Sequence, residues 1–205
     1  MNELWQRLQD KEWDLYKKEG SVGTFSVDGL RGAEMTGAFI NKLIPKECCL
    51  DVGCGALAYP SYMKAAPDVY FIGIDPYEGD VEKDFYFLQG YAESLSFPDN
   101  DFDGVLFATS LDHVIDPVLA IKEAKRVLKD EGYLFVWTAV RDNDKLYRAW
   151  LSKPKPAQYD KYHMWAFTRE SLLELIGDLE LIEEIIVWEA VGAFNERILI
   201  FKNHE

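Results

Sequence analysis

Short, uniformly apolar runs alternate along the chain with longer stretches in which apolar residues recur at helical spacing. Cys48 to Val52, Val69 to Ile74, Phe85 to Leu88, Phe102 to Ala108 and Tyr133 to Ala139 have the length and composition of strands buried on both faces. Ahead of them, Leu4, Trp5, Leu8, Leu15 and Tyr16 predict an amphipathic helix over 3–19, read as packed on the domain rather than on a partner. Gly20, Gly23 and Gly29 with small polar neighbours predict a loop, and a second helix runs from about Leu30 to Leu43, closed by Pro45. Asp116-Pro117 opens a further helix, since Asp caps and Pro suits the first helical position. Its apolar face is expected to carry Val118, Ile121, Ala124 and Leu128, with Lys129-Asp130-Glu131-Gly132 ending it. Thr168 is expected to cap a helix through about Ile176. Strands near Leu181 to Trp188 and Arg197 to Lys202 follow, and their short connection forces an antiparallel pair. Strands alternating with helices make this an α/β chain with a largely parallel sheet covered on both faces.

The first strand ends abruptly. Asp51 closes an apolar run, where a carboxylate is costly unless something polar meets it, and Gly53 and Gly55 leave the backbone open to a ligand. A strand-to-helix turn with a capping Asp is the plainer reading of the same residues. The other strand ends bear on the choice, because ligands of open α/β sheets sit beyond the C-terminal ends of the strands. Those ends offer Asp75, then Ala92-Glu93, then Thr109-Ser110. Asp75 lies 20 residues beyond Gly55, the separation of an acid that grips ribose hydroxyls, so the expected cofactor carries a nucleoside. Gly53-Cys54-Gly55-Ala56-Leu57-Ala58 also fits a dinucleotide fingerprint, which keeps an NAD(P)-dependent oxidoreductase as an alternative. Against it, Asp51 would lie close to a pyrophosphate, and no Tyr-x-x-x-Lys pair is visible. The acid suits a cationic amine instead, as in S-adenosylmethionine.

Composition narrows the partners. A net charge of −14 over 205 residues argues against nucleic acid and anionic membranes, and the length suits a single domain, 1–205. Three cysteines, at 48, 49 and 54, and three histidines show no metal-ligand spacing, so no metal is expected and the thiols read as reduced and buried in a cytoplasmic protein. The polar N-terminus does not resemble a signal peptide, and no apolar run approaches membrane-spanning length. Within the domain, residues 1–45 form a helical cap. Residues 141–167 form a polar insertion carrying Tyr147, Trp150, Tyr159, Tyr162, His163, Trp165 and Phe167. That insertion is either a lid that binds the acceptor or an excursion held down by its own aromatics; both readings stay open.

Leu50-Asp-Val-Gly-Cys-Gly55, Gly73-Ile-Asp-Pro76, Ala92-Glu-Ser-Leu-Ser-Phe-Pro98, Phe102-Asp-Gly-Val105 and Ser110-Leu-Asp-His-Val-Ile-Asp-Pro117 together resemble class I S-adenosylmethionine-dependent methyltransferases of the small-molecule type. The resemblance implies a Rossmann-like, doubly wound sheet of seven strands, mostly parallel with an antiparallel C-terminal strand. It implies that Gly53, Cys54 and Gly55 line the methionine part, with Asp51 at the amino group. Asp75 and Pro76 would meet the ribose, Ala92 and Glu93 the adenine, and Ala108, Thr109 and Ser110 the sulfonium. Leu57 departs from the family's frequent third glycine, which puts the start of the following helix in question. Asp112, His113 and His163 are the candidate general bases; wall, pocket and packing roles are the competing readings. The expected acceptor is a small or sugar-containing molecule methylated on oxygen or nitrogen, with a quinone-type carbon as the other option. A non-catalytic S-adenosylmethionine-binding module is the remaining alternative.

Overall fold

The computed structural model describes residues 3–19, 32–141, 163–189 and 195–204. Among them, seven strands join one sheet: β1 (Cys48–Val52), β2 (Tyr70–Asp75), β3 (Tyr86–Gln89), β4 (Phe102–Ala108), β5 (Leu128–Val140), β6 (Glu180–Glu189) and β7 (Asn195–Lys202). Their order is β3-β2-β1-β4-β5-β7-β6. β1 pairs in parallel with both β2 and β4, so the chain winds outward from β1 in one direction and then from β4 in the other. That reversal opens a crevice at the C-terminal ends of β1 and β4. β7 runs antiparallel to β5 and to β6, as the resemblance implied.

Period-two alternation splits the strands between two cores. Leu50, Val105, Phe107, Leu134, Val136, Leu199 and Phe201 face one side, under α4 (Pro117–Val127) and α5 (Arg169–Ile176). Cys49, Leu106, Phe135, Trp137, Ile198 and Ile200 face the other, under α2 (Gly32–Leu43) and α3 (Ser61–Lys64). The helix α1 (Glu3–Glu19) sits apart, with Trp5 and Leu8 buried against Met164.

The caps are as read. Asp116 accepts from Val118 N and Leu119 N, and Thr168 with Ser171 forms a capping box. Four expectations need correction. Val118 is 64% exposed, because the buried stripe of α4 runs through Ala120, Ile121, Ala124 and Val127. Leu128 to Gly132 belongs to β5: Leu128 pairs with Phe102, Glu131 bulges at φ 62°, and Asn203 takes the carbonyls of Lys129 and Gly132. The second run is not buried throughout, since Tyr70 is 70% exposed on the flank of β2. Finally, no helix follows the glycine turn directly; α3 waits until Ser61, behind Pro60. The expected loop over 20–29 lies outside the described residues, as does nearly all of the 141–167 insertion, of which Arg141 and residues 163–167 are described.

Candidate functional site

The glycine turn is pinned from several sides. Gly53 N and Cys54 N both donate to Ile74 O, at 2.7 and 3.2 Å, which ties the end of β1 to β2. The two glycines are required for different reasons, although both have positive φ (+80° and +67°). A Cβ on Gly53 would lie 2.4 Å from Ser110 Cβ, whereas one on Gly55 would meet nothing within 4 Å. Gly53 is a packing glycine and Gly55 faces open space. Ser110 Oγ donates to Val52 O, and Thr109 adopts φ 57°, a conformation that costs a β-branched residue about 1–3 kcal/mol. Its amide is anchored to Trp137 O at 2.8 Å.

Charge is concentrated beneath this turn. Asp51 is fully buried; Tyr62 Oη donates to its Oδ2 at 2.6 Å, while Oδ1 has no hydrogen-bond partner among the described residues. Burial pushes its carboxyl up to about 7 against the opposing effect of the Tyr62 hydrogen bond. Asp75 is bound by backbone on both oxygens, with Gly55 N donating to Oδ2 and Tyr77 N to Oδ1, each at 2.9 Å. Lys83 donates to the carbonyls of Gly55 and Leu57 and lies over the rings of Phe85 and Phe87. Burial lowers its pKa while Cys54, Asp75 and Asp51 oppose that fall. The positive charge of Lys83 thus clamps the turn where Leu57 replaces a glycine.

A cavity opens beyond these strand ends, enclosing about 960 Å³ of empty space with its open mouth included. Of the residues assigned to cofactor binding, Gly53, Cys54, Gly55, Asp75, Pro76, Ala92, Glu93, Ala108, Thr109 and Ser110 line it, and Asp51 does not. Asp51 sits behind Tyr62, whose ring lines the cavity. Glu93 also works within the protein: its Oε1 accepts from Ile115 N at 2.6 Å and Asp116 N at 3.0 Å, tying the cavity wall to the start of α4.

Helix α1 roofs the cavity. Trp13 stacks on Tyr77 with ring centroids 5.1 Å apart, and Gln9 and Trp13 line the space below. Gln6 donates to Tyr77 Oη at 2.7 Å, Tyr77 donates to Asp10, and Trp5 Nε1 donates to His113 O at 2.7 Å. At the opposite end from Asp75, the three candidate bases converge. His113 Nε2 lies 3.7 Å from Asp112 Oδ1, His163 Nε2 lies 3.9 Å from Asp112 Oδ2, and the two imidazole centroids are 4.8 Å apart. His113 lines the cavity; Asp112 and His163 stand beyond it.

Residues 50–136 match a family described as a methyltransferase domain. Protein YafE of Escherichia coli (strain K12) is 34% identical over 99 residues, 48% of this chain and 47% of that protein. Demethylmenaquinone methyltransferase of Symbiobacterium thermophilum is 37% identical over 102 residues, 43% of this chain and 41% of the relative. The chain spans about half, or less, of the length of these curated relatives. The 1,6-didemethyltoxoflavin-N1-methyltransferase of Burkholderia thailandensis, solved with 1,6-didemethyltoxoflavin and S-adenosylhomocysteine, superposes with a TM-score of 0.68 at 13% identity, over 98% of this chain and 89% of that one. At that identity the likeness is one of fold.

Over residues 50–136 the chain carries a methyltransferase-domain segment. The matched segment of this methyltransferase domain runs from β1 into β5 and therefore holds the glycine turn, Asp75, Glu93 and the Ser110–Pro117 stretch. It excludes α1 and His163. Sequence reasoning read α1 only as packed on the domain and His163 as a candidate base, without its convergence on Asp112 and His113. Gln6, Gln9, Asp10 and Trp13 fall on one face of α1, and two tryptophans in a polar helix were the available signal. Lys83 and Tyr62 left no such trace, because their partners are backbone carbonyls and a buried acid brought near only by folding.

Proposed function

We propose that this chain transfers a methyl group from S-adenosylmethionine to oxygen or nitrogen of a small-molecule acceptor. One observation carries the cofactor assignment: the buried acid Asp51, the open cradle at Gly55 and the Asp75 carboxylate lie in series along the ends of β1 and β2. The residues present fit that cofactor. The space at Gly55 that a Cβ would occupy admits a ligand close to backbone, and Asp51, buried behind Tyr62, can act on a cationic amine there only through its charge and not by contact. Asp75 lines the cavity and presents a carboxylate of the kind that accepts from vicinal hydroxyls.

When bound, the cofactor supplies an activated methyl on a sulfonium. The protein's share is placement. Asp75 and the Gly53–Gly55 backbone fix the nucleoside and amino-acid ends, with Ala92 and Glu93 flanking the adenine. Thr109 and Ser110 hold the end of β4 against the reacting region, and α1 covers the cavity and limits water. Alignment of this kind contributes about 7–11 kcal/mol to a two-reactant step, more than the roughly 3–5 kcal/mol of a general base. The Asp112, His113 and His163 end is where the acceptor is placed. The names of a relative, a demethylmenaquinone methyltransferase, and of a protein of like fold, a 1,6-didemethyltoxoflavin-N1-methyltransferase, favour a small, flat acceptor. The net charge of −14 gives the same preference over nucleic acid.

The test is differential scanning fluorimetry of the full chain. S-adenosylhomocysteine should raise the melting temperature and NAD should not; the reverse would overturn the cofactor assignment. A labelled-methyl screen against small-molecule fractions then tests transfer, and binding without transfer to any fraction would favour a non-catalytic cofactor-binding module.

A further inference from the structure

We propose that Asp112, His113 and His163 form a binding site for a divalent transition-metal ion of the zinc type at the acceptor end of the cavity. These side chains come from segments far apart in sequence, so no ligand spacing betrays them, and the sequence alone led to an expectation of no metal. In space their ligating atoms all lie within 4.8 Å of one another.

The separations are informative. At 3.7 and 3.9 Å, the two imidazole–carboxylate contacts are too long for hydrogen bonds. Two ligands that share an ion at about 2.0–2.1 Å stand about 3.4 Å apart at a tetrahedral angle and about 4.2 Å apart when opposite. Both contacts fall between those limits, one to each oxygen of the Asp112 carboxylate, and the ligating atoms, now within 4.8 Å of one another, must draw inward to share an ion. Asp112 is 9% exposed, and its Oδ1 has no hydrogen-bond partner among the described residues. A buried carboxylate oxygen without a hydrogen-bond partner is a ready ligand for a cation. Two imidazoles and one carboxylate are a donor set that suits zinc, cobalt or iron, and three protein ligands leave a coordination position open.

The backbone holds the ligands in place. His113 N donates to Ser110 O at 3.0 Å, while Met164 N and Trp165 N donate to Asp112 O at 3.0 and 3.1 Å. Trp165 Nε1 donates to Val114 O at 2.8 Å, so the strip bearing His163 is laced directly to the strip bearing the other two. Because His113 lines the cavity, the open position of the ion would face it. An ion there would bind an acceptor through an oxygen such as a phenolate, enolate or carboxylate and hold that oxygen in its anionic form at neutral pH. This acceptor role rests on the methyltransferase reading; metal binding itself does not.

The experiment uses the full chain after chelator dialysis. Titration with zinc should show one equivalent by calorimetry, and cobalt should give visible absorption bands of a four- or five-coordinate ion. His163→Ala and Asp112→Asn should each weaken binding at least tenfold while S-adenosylhomocysteine binding persists, which shows that the variants fold. His204→Ala, at the distant Glu131–Glu180 cluster, should leave the stoichiometry intact. Absence of stoichiometric binding, or binding that survives both ligand substitutions, overturns the proposal. S-adenosylhomocysteine binding without metal binding sinks this inference alone; metal binding without S-adenosylhomocysteine binding sinks the cofactor assignment and leaves the metal site standing.

Discussion

The two ends of the cavity are built on opposite plans. At the cofactor end, the contacts are mostly backbone: a turn of positive-φ glycines, amides bound to Asp75 and carbonyls bound to Lys83, all within strands β1 and β2 and the loops that follow them. At the end proposed for the acceptor, side chains from separate segments meet: Asp112 and His113 after β4, His163 before α5, and the Trp5 indole and Gln9 side-chain amide from α1. A backbone site tolerates little change because its geometry is the fold itself. A side-chain site can be altered residue by residue without disturbing the sheet, which is how related domains take different acceptors on one scaffold.

The largest effect that would test this contrast is at Gly53. Gly53→Ala places a Cβ 2.4 Å from that of Ser110 at φ +80°, so strain and overlap add. We expect a loss of about 2–4 kcal/mol in denaturant unfolding together with loss of S-adenosylhomocysteine binding. Gly55→Ala has similar φ but free space, and should cost about 1 kcal/mol of stability while still weakening the ligand markedly. Equal stability losses at the two glycines would contradict their separate roles.

Asp75→Ala comes next. It removes the acceptor of two backbone amides as well as the proposed ribose contact, so S-adenosylhomocysteine affinity should fall by about tenfold or more, or about 1.4 kcal/mol. Asp75→Asn should recover part of the turn but not the affinity. Unchanged affinity by calorimetry in either variant would refute the ribose assignment.

The cofactor end was the more legible of the two because its chemistry is local in sequence. Asp51, Gly53, Gly55 and Asp75 sit where strands stop, and period and composition locate strand ends well. Even so, Asp51 was expected to touch the ligand and lies behind Tyr62 instead. Burial of this kind depends on α3, whose residues Ser61–Lys64 are too few to show helical periodicity. Asp112, His113 and His163 were each visible as single polar residues in suggestive segments, but their convergence depends on how the strip at 163–165 pairs with Asp112 O and Val114 O. Long-range backbone pairing between irregular segments leaves no pattern in sequence. Glu93 is the intermediate case: its position beside the cavity was readable, while its hold on the start of α4 was not.

A smaller effect comes from Asp51 and appears as a pH dependence. Its neighbours are the Tyr62 hydroxyl, which donates to it, Asp75, which raises its pKa, and Lys83, which lowers it; burial outweighs all three. Its carboxyl is raised from 3.8 to about 7, so between those values the folded protein holds a proton that the unfolded chain has released. Stability from this group is therefore greatest below about pH 4, falls as pH rises, and levels off above about pH 7. Asp51→Asn should flatten that slope, so the variant should gain on the parent as pH rises from 5 to 8 in paired thermal melts. A cationic ligand has the opposite preference: it favours ionised Asp51, so S-adenosylmethionine should bind more tightly at pH 8 than at pH 6 and release protons on binding near pH 6. Calorimetry in buffers of different ionisation enthalpy measures that release directly, and an identical release from Asp51→Asn would remove Asp51 from the amino-group role.

The smallest expected effect is at Lys83, and it sharpens the comparison because Lys83, unlike Asp75, holds the turn without lining the cavity. It bonds two carbonyls of the turn and packs across Phe85 and Phe87, but it does not line the cavity. Lys83→Met keeps the apolar stem and removes the charge, leaving the carbonyls of Gly55 and Leu57 to water. Stability should drop by about 1 kcal/mol, the ordinary worth of such a contact in a partly exposed site. S-adenosylhomocysteine affinity should fall only a few-fold, since Ile74 and Asp75 still hold the turn. A larger loss of affinity than of stability would mean that Lys83 acts on the ligand through the turn's conformation, and the cofactor end would then depend on side chains as the acceptor end does.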